Sequence, residues 1–196
     1  MSLRYFALAL STAAPLLAGC QTSGSGAQSV AQAAAQLTAT PYAAEDKDWG
    51  IPPQGGIRKD QYHAPTPMIL PGVKLVTTNA LAQSFQGTGR PVIINVLTGS
   101  WVNAVPDSVW LSGAGQGTGL DDPTQARLAR RLAALTAGDK AKPVVFYCLS
   151  SQCWLSYNAA LRAQQLGYTN VGWYRGGVEA WQAAGLPVER NTHDQW

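Results

Sequence analysis

Three short runs constrain this chain more than any other feature: Val92-Ile-Ile-Asn-Val-Leu97, Val144-Val-Phe-Tyr147 and Val171-Gly-Trp-Tyr174. They lack the strict apolar–polar alternation of a strand with one wet face. Near-continuous apolar runs of this length belong to parallel strands covered on both sides. Arg90-Pro91 precedes the first run and Lys142-Pro143 the second, so the runs are punctuated as strands. Weaker strands are expected at Val73–Val76, which alternates, and at Val109–Leu111.

Helical patterns fill the intervals. Asn79 can cap a helix running to Phe85. Asp121-Asp122-Pro123 opens a second helix to about Thr136, with Leu128, Leu132 and Leu135 at helical spacing and Arg127, Arg130 and Arg131 on the solvated face. A third runs from Trp154 to Leu166 and stops at Gly167, and a fourth from Val178 to Ala184 stops at Gly185. Strand–helix alternation with right-handed crossovers predicts an α/β fold: a five-stranded, mostly parallel sheet with helices on both faces. The glycine-rich stretch Gly113–Gly119 lacks the Gly-Lys-Ser/Thr ending of a phosphate loop.

The amino-terminal third reads differently. Residues 1–19 carry Arg4 and an apolar stretch from Tyr5 to Ala18, too short and too rich in Ser, Thr and Ala for a membrane span. Leu17-Ala18-Gly19-Cys20 resembles the lipobox of bacterial lipoproteins, which implies a diacylated Cys20 as the first mature residue. An ordinary secretory signal with Cys20 left over is the alternative. Gln21 after the cysteine favours, by the same resemblance, the outer membrane and the periplasmic side. Residues 20–68 are expected to be a flexible tether, with a short helix at Val30–Leu37, followed by a Pro-rich and aromatic arm over 41–68 lying on the domain. The folded domain is expected over 69–190.

Charge excludes one class of function. Fourteen Lys and Arg against eleven Asp and Glu give a net charge of +3, and charged residues make up only 13%. The basic residues are scattered rather than striped, so no nucleic-acid partner is implied.

The chemistry gathers in Cys148-Leu-Ser-Ser-Gln-Cys153-Trp154. Ligand sites of open α/β sheets lie at the carboxyl ends of the strands, where both Cys148 and Arg175 fall. A thiol between a buried strand and a helix start meets backbone N–H groups and the positive end of the helix dipole, which favour its anion. Otherwise Cys148 is a small buried apolar residue, as most free cysteines are.

The residues from Pro143 to Val188 resemble a rhodanese-like (sulfurtransferase) domain: Val144–Cys148, Ala159-Ala-Leu-Arg-Ala163, Leu166-Gly-Tyr-Thr-Asn-Val171, Gly176-Gly-Val-Glu-Ala-Trp181 and Ala184-Gly-Leu-Pro-Val188. Val92–Val96 is similar to the family's central strand. Cys153-Trp154 with Tyr157-Asn158-Ala159-Ala160 and Trp173-Tyr174 resembles the PQQ-dependent catabolism-associated CXXCW motif proteins. The resemblance implies Cys148 as the persulfide-forming cysteine, a donor such as thiosulfate and a thiol acceptor. It also implies a link to a PQQ-dependent dehydrogenase system, and no cofactor or metal bound by this chain. Leu149, Ser150, Ser151, Gln152 and Trp154 then line the substrate loop. Asn95-Val96-Leu97 and Ala104–Ser108 depart from the family pattern, and the loop lacks its usual glycine and arginine.

Three roles follow, with different requirements. Sulfur transfer uses Cys148. A dithiol–disulfide redox accessory uses Cys148 and Cys153 together. Docking of a partner at an aromatic mouth of Trp154, Trp173 and Tyr174 uses neither. Arg175 either replaces the missing loop charge or is a surface arginine, and Cys153 either pairs with Cys148 or packs beneath Trp154.

Overall fold

The computed structural model describes Met1, residues 26–99 and residues 103–196. Cys20 and the expected signal after Met1 lie outside them. The described elements run α1 (Gly26–Ala34), β1 (Lys74–Val76), α2 (Thr78–Gln83), a 3-10 turn at Ser84–Gln86, β2 (Val92–Asn95), β3 (Asn103–Ala104), β4 (Val109–Trp110), α3 (Pro123–Thr136), β5 (Val144–Tyr147), α4 (Trp154–Gln165), β6 (Val171–Tyr174), α5 (Gly177–Ala183) and β7 (Glu189–Arg190).

Five strands form one sheet in the order β1-β6-β5-β2-β4, and every pairing in it is parallel. The central register sets Ile94 beside Phe146 and Phe146 beside Trp173, while Asn95, Tyr147 and Tyr174 share the next row. Because side chains alternate across a strand, these rows face opposite sides. Ile94, Phe146 and Trp173 pack with Leu128 and Leu132 of α3 and with α4. Ile93, Val145, Tyr147 and Tyr174 pack with α1, α2 and α5 through Val30, Leu81 and Trp181. The two central strands β5 and β6 lack polar side chains other than tyrosine hydroxyls and an indole because helices cover both faces, as the sequence predicts.

Details differ from the sequence expectation. Thr77, not Asn79, caps α2: its hydroxyl accepts the Ala80 N–H at 3.2 Å, while the Asn79 amide donates to the Thr38 carbonyl. The segment expected to be a tether carries α1, which starts earlier than expected and buries Val30 and Ala34 against the α2 face. Two of the arginines assigned to a solvated face of α3 hold the carboxyl-terminal tail. Arg131 pairs with Asp194, and the Arg127 guanidinium lies 4.6 Å from the Trp196 ring centre. That tail runs along the outer edge of β4, where Asp194 N–H donates to the Trp110 carbonyl at 3.0 Å. β3 and β7 form a separate antiparallel pair.

The glycine-rich stretch has a packing role. A Cβ on Gly115 would overlap the Leu155 carbonyl, and one on Gly117, at φ +135°, would overlap the Asp122 carboxylate and lie 2.5 Å from the Arg162 guanidinium. The loop lies directly on α4 and on the buried Asp122–Arg162 pair. Among the described residues, no helix is long and apolar enough to cross a membrane.

Candidate active site

Cys148 follows the last residue of β5 in the middle of the sheet, and Cys153 immediately precedes α4. Their Cα atoms are 6.2 Å apart and their sulfurs are joined in a disulfide. The separation lies inside the about 4.4–6.8 Å that a disulfide spans. Both residues are 1% exposed. Ser150 and Ser151 are also buried, Leu149 is half-buried, and Gln152 alone in the loop is exposed.

The backbone of this loop is polarised. Val178 and Glu179 at the start of α5 donate their N–H groups to the carbonyls of Cys148 (3.1 Å) and Leu149 (2.9 Å). Cys153 N–H donates to the Ser150 carbonyl at 3.1 Å. The Ser151 carbonyl accepts both the N–H (3.2 Å) and the hydroxyl (2.7 Å) of Thr66. Every carbonyl from Cys148 to Ser151 therefore has a donor. The N–H groups of Leu149, Ser150 and Ser151 have no acceptor among the described residues. In a trans peptide the N–H points opposite to the carbonyl, so tying back the carbonyls turns these donors the other way. Successive free N–H groups favour an anion. Gly177, at φ +61°, permits the close seat on α5: a Cβ there would lie 2.5 Å from the Cys148 and Leu149 carbonyl oxygens.

Residues of the 41–68 arm close over this loop, a placement the sequence does not specify, and their ties are specific. Trp154 N–H donates to the Tyr62 carbonyl at 2.8 Å and its indole N–H to the Pro65 carbonyl at 2.9 Å. His63 forms an antiparallel bridge with Cys153. Asn158 donates to the Arg58 carbonyl at 2.8 Å and accepts the Arg58 N–H at 3.1 Å.

Two sequence expectations fail here. Arg175 neither lies at the surface nor faces the loop as a free cation: it is 1% exposed, and its guanidinium donates to the carbonyls of Glu45 (2.8 Å), Lys47 (2.9 Å) and Thr66 (3.1 Å) and to the Thr66 hydroxyl (3.0 Å). Burial pushes its pKa down, with Asp48 and Asp46 acting in the opposite direction. Nor is there an aromatic mouth. Trp154, Trp173 and Tyr174 are at most 1% exposed. Trp154 and Trp173 both contact the Tyr157 ring beneath the arm, Trp154 tilted at 4.9 Å and Trp173 edge-to-face at 5.2 Å between ring centres. Tyr174 faces the other side of the sheet, where its hydroxyl donates to Thr78, which donates in turn to the buried Glu45 carboxylate. Burial raises the pKa of Tyr174 well above its ordinary value.

Thr66, Tyr62 and His63 are site neighbours that the sequence does not reveal, because the arm has no periodic pattern. Among the described residues no cluster of His, Cys, Asp or Glu side chains is placed to hold a metal ion.

A central parallel strand that delivers a cysteine into a short loop, backed by a helix amino terminus and sealed by a disulfide, defines an α/β protein with a cysteine-loop site. The chain belongs to the rhodanese-like domain family, whose sequence profile matches residues 81–184. Solved structures similar to parts of it include thiosulfate sulfurtransferase from Pseudomonas aeruginosa (19% identity, TM-score 0.44, covering 62% of this chain and 21% of that one). Another is the polysulfide-sulfur transferase homodimer from Wolinella succinogenes (16% identity, TM-score 0.43, covering 64% and 84%). A third is the Rhodanese_3-like domain of an Anabaena protein (18% identity, TM-score 0.36, covering 50% and 98%). No curated protein matches the chain in sequence.

Proposed function

We propose that this chain is a sulfurtransferase in which Cys148 accepts sulfane sulfur and Cys153 resolves the product. The carrying observation is the Cys148–Cys153 disulfide in a loop whose carbonyls are tied back. In the first step the Cys148 thiolate attacks the outer sulfur of thiosulfate. An S–S bond forms to Cys148, the bond within thiosulfate breaks, and sulfite leaves with the electron pair. The product persulfide is an anion of the kind that unpaired loop amides stabilise. In the second step the Cys153 thiolate attacks the Cys148 sulfur, hydrosulfide leaves, and the disulfide closes. A two-electron dithiol reductant then restores both thiols, and an external thiol acceptor that takes the sulfur before Cys153 attacks bypasses the disulfide.

The finer assignments rest on sequence. The Leu17–Cys20 lipobox supports a diacyl anchor at Cys20, Gln21 supports the outer membrane, and Cys153-Trp154 with its flanking residues supports an accessory role in periplasmic PQQ-dependent alcohol catabolism. A dithiol–disulfide accessory without sulfane chemistry is the second reading, favoured by the same disulfide.

Reduced full-length protein treated with thiosulfate decides between them. Intact mass should gain one sulfur atom on Cys148 in Cys153→Ser. The wild type should return to the disulfide with one equivalent of sulfide released. Absence of any sulfur adduct on Cys148 in Cys153→Ser, with a disulfide that still cycles, overturns sulfur transfer and leaves the redox role.

A further inference from the structure

The family match begins at residue 81, yet one of the contacts that shape the thiol loop comes from residue 66. Thr66 is fully buried. Its N–H and its hydroxyl both donate to the Ser151 carbonyl, and its hydroxyl oxygen accepts the Arg175 Nε–H at 3.0 Å. Arg175 ends β6 as a buried side-chain cation, and its remaining donors go to carbonyls of the same arm. A guanidinium that polarises a hydroxyl strengthens the hydrogen bond which that hydroxyl donates, because linked hydrogen bonds polarise one another in a low dielectric.

We infer that Thr66 is a positioning residue of the Cys148 loop, coupling the buried Arg175 charge to the Ser151 carbonyl and keeping that carbonyl turned away from the thiol. The carbonyls of Cys148, Leu149 and Ser150 are held by donors within the domain, whereas the Ser151 carbonyl is held by the arm alone. A carbonyl dipole that loses the Thr66 hydroxyl keeps only the longer N–H contact at 3.2 Å and is freer to turn toward the sulfur, where its negative end opposes a thiolate or persulfide. With Thr66 in place the loop presents donors and withholds acceptors. The arm is in this sense part of the site rather than a cover for it, and the arginine that the sequence suggested as an anion ligand acts through Thr66 instead.

This inference rests on Cys148 being the reacting thiol, and its test does not require sulfur transfer. The full-length chain, solubilised in mild detergent and freshly reduced, is alkylated with iodoacetamide across pH. Peptide mass locates the adduct on Cys148, and circular dichroism verifies the fold. Thr66→Val removes the hydroxyl and keeps the shape and the N–H. It should raise the Cys148 pKa by about one unit, slowing alkylation about tenfold below both values. Thr66→Ser, which keeps the hydroxyl, should retain the wild-type profile. If valine compromises folding, Thr66→Ala is read the same way. A wild-type pH profile in a folded valine or alanine variant overturns the inference even where stability drops, as does a shifted profile in Thr66→Ser. A Cys148 that shows these shifts yet gains no sulfur from thiosulfate leaves the inference standing and removes the sulfurtransferase reading.

Discussion

Tyr157 and Gln54 clasp one another through a single oxygen: the Tyr157 hydroxyl donates to the Gln54 carbonyl at 2.7 Å and accepts the Gln54 N–H at 2.8 Å. A side chain on α4 thus satisfies both backbone groups of one arm residue. Tyr157→Phe preserves the ring that packs between Trp154 and Trp173 and removes only the clasp. With about 1 kcal/mol net for each hydrogen bond, the variant should lose about 2 kcal/mol in urea unfolding. Amide exchange over residues 51–58 should accelerate, and the disulfide should be reduced faster by dithiothreitol. An arm that exchanges at the wild-type rate in this variant is held by something else.

The Asp122–Arg162 pair should govern acid stability. Their side chains are 7% and 0% exposed, and the guanidinium meets both carboxylate oxygens at 2.9 and 2.8 Å. Burial by itself raises the Asp122 pKa. Hydrogen bonds from Arg162 and from the N–H groups of Gln125 and Thr118, with the arginine's charge, outweigh it and hold the carboxyl well below the usual range. A depressed folded pKa means that the pair's contribution is complete above the unfolded value of about 3.9 and is lost as pH falls toward the folded one. Asp122→Asn leaves the arginine without its counter-charge and should cost about 3–5 kcal/mol at neutral pH. Its stability should also fall less steeply than the wild type's between pH 4 and pH 2. Parallel pH curves for the two proteins would contradict this account.

Gly177→Ala should damage the thiol loop from behind. The left-handed backbone and the contact of the new Cβ with the Cys148 and Leu149 carbonyls together should cost about 2–4 kcal/mol. Relief requires separating the loop from α5, which frees two of the carbonyls that are now tied back. Thiosulfate-dependent labelling of Cys148 should therefore fall further than the loss of folded protein explains, as measured at a temperature where the variant is still folded.

Native protein handled in air should block iodoacetamide at both Cys148 and Cys153 until it is reduced, because the two sulfurs are bonded to one another. Cys153→Ser should leave Cys148 open to alkylation without reductant. Two alkylated residues in unreduced wild-type protein would show that the bond does not form in solution.

The core of the fold was legible because parallel strands covered on both faces must be apolar throughout, and Val144–Tyr147 and Val171–Tyr174 carry that demand in consecutive residues. Cys148 was legible for a related reason, as a polarisable residue at the carboxyl end of a central strand. Arg175 was not, since an arginine at a strand end reads alike whether it meets a ligand or the carbonyls of its own chain. The ties of Tyr157 and Asn158, and those of Arg175 apart from the one to the Thr66 hydroxyl, run to backbone atoms, so the identity of most arm residues carries no trace of them. Val30 and Ala34 give α1 too small an apolar face to separate it from a solvated segment. Asn79 and Thr77 are both competent caps, and the structure chooses Thr77 because its hydroxyl reaches the Ala80 N–H.

The arm's attachment also orders events during synthesis. Gln54, Arg58 and Thr66 are bonded to Tyr157, Asn158 and Arg175 across 103, 100 and 109 residues, and the row that contains Leu75 is completed only by Trp173. A chain made from its amino end produces the arm first and the arm's receptors nearly last. The partners of Gln54, Arg58 and Thr66 are therefore missing while more than half of the polypeptide emerges, although Glu45 can meet Thr78 much earlier. The cysteines meet the same schedule: until the arm settles, the thiols at 148 and 153 are open to large partners such as an isomerase, and afterwards only to small reagents.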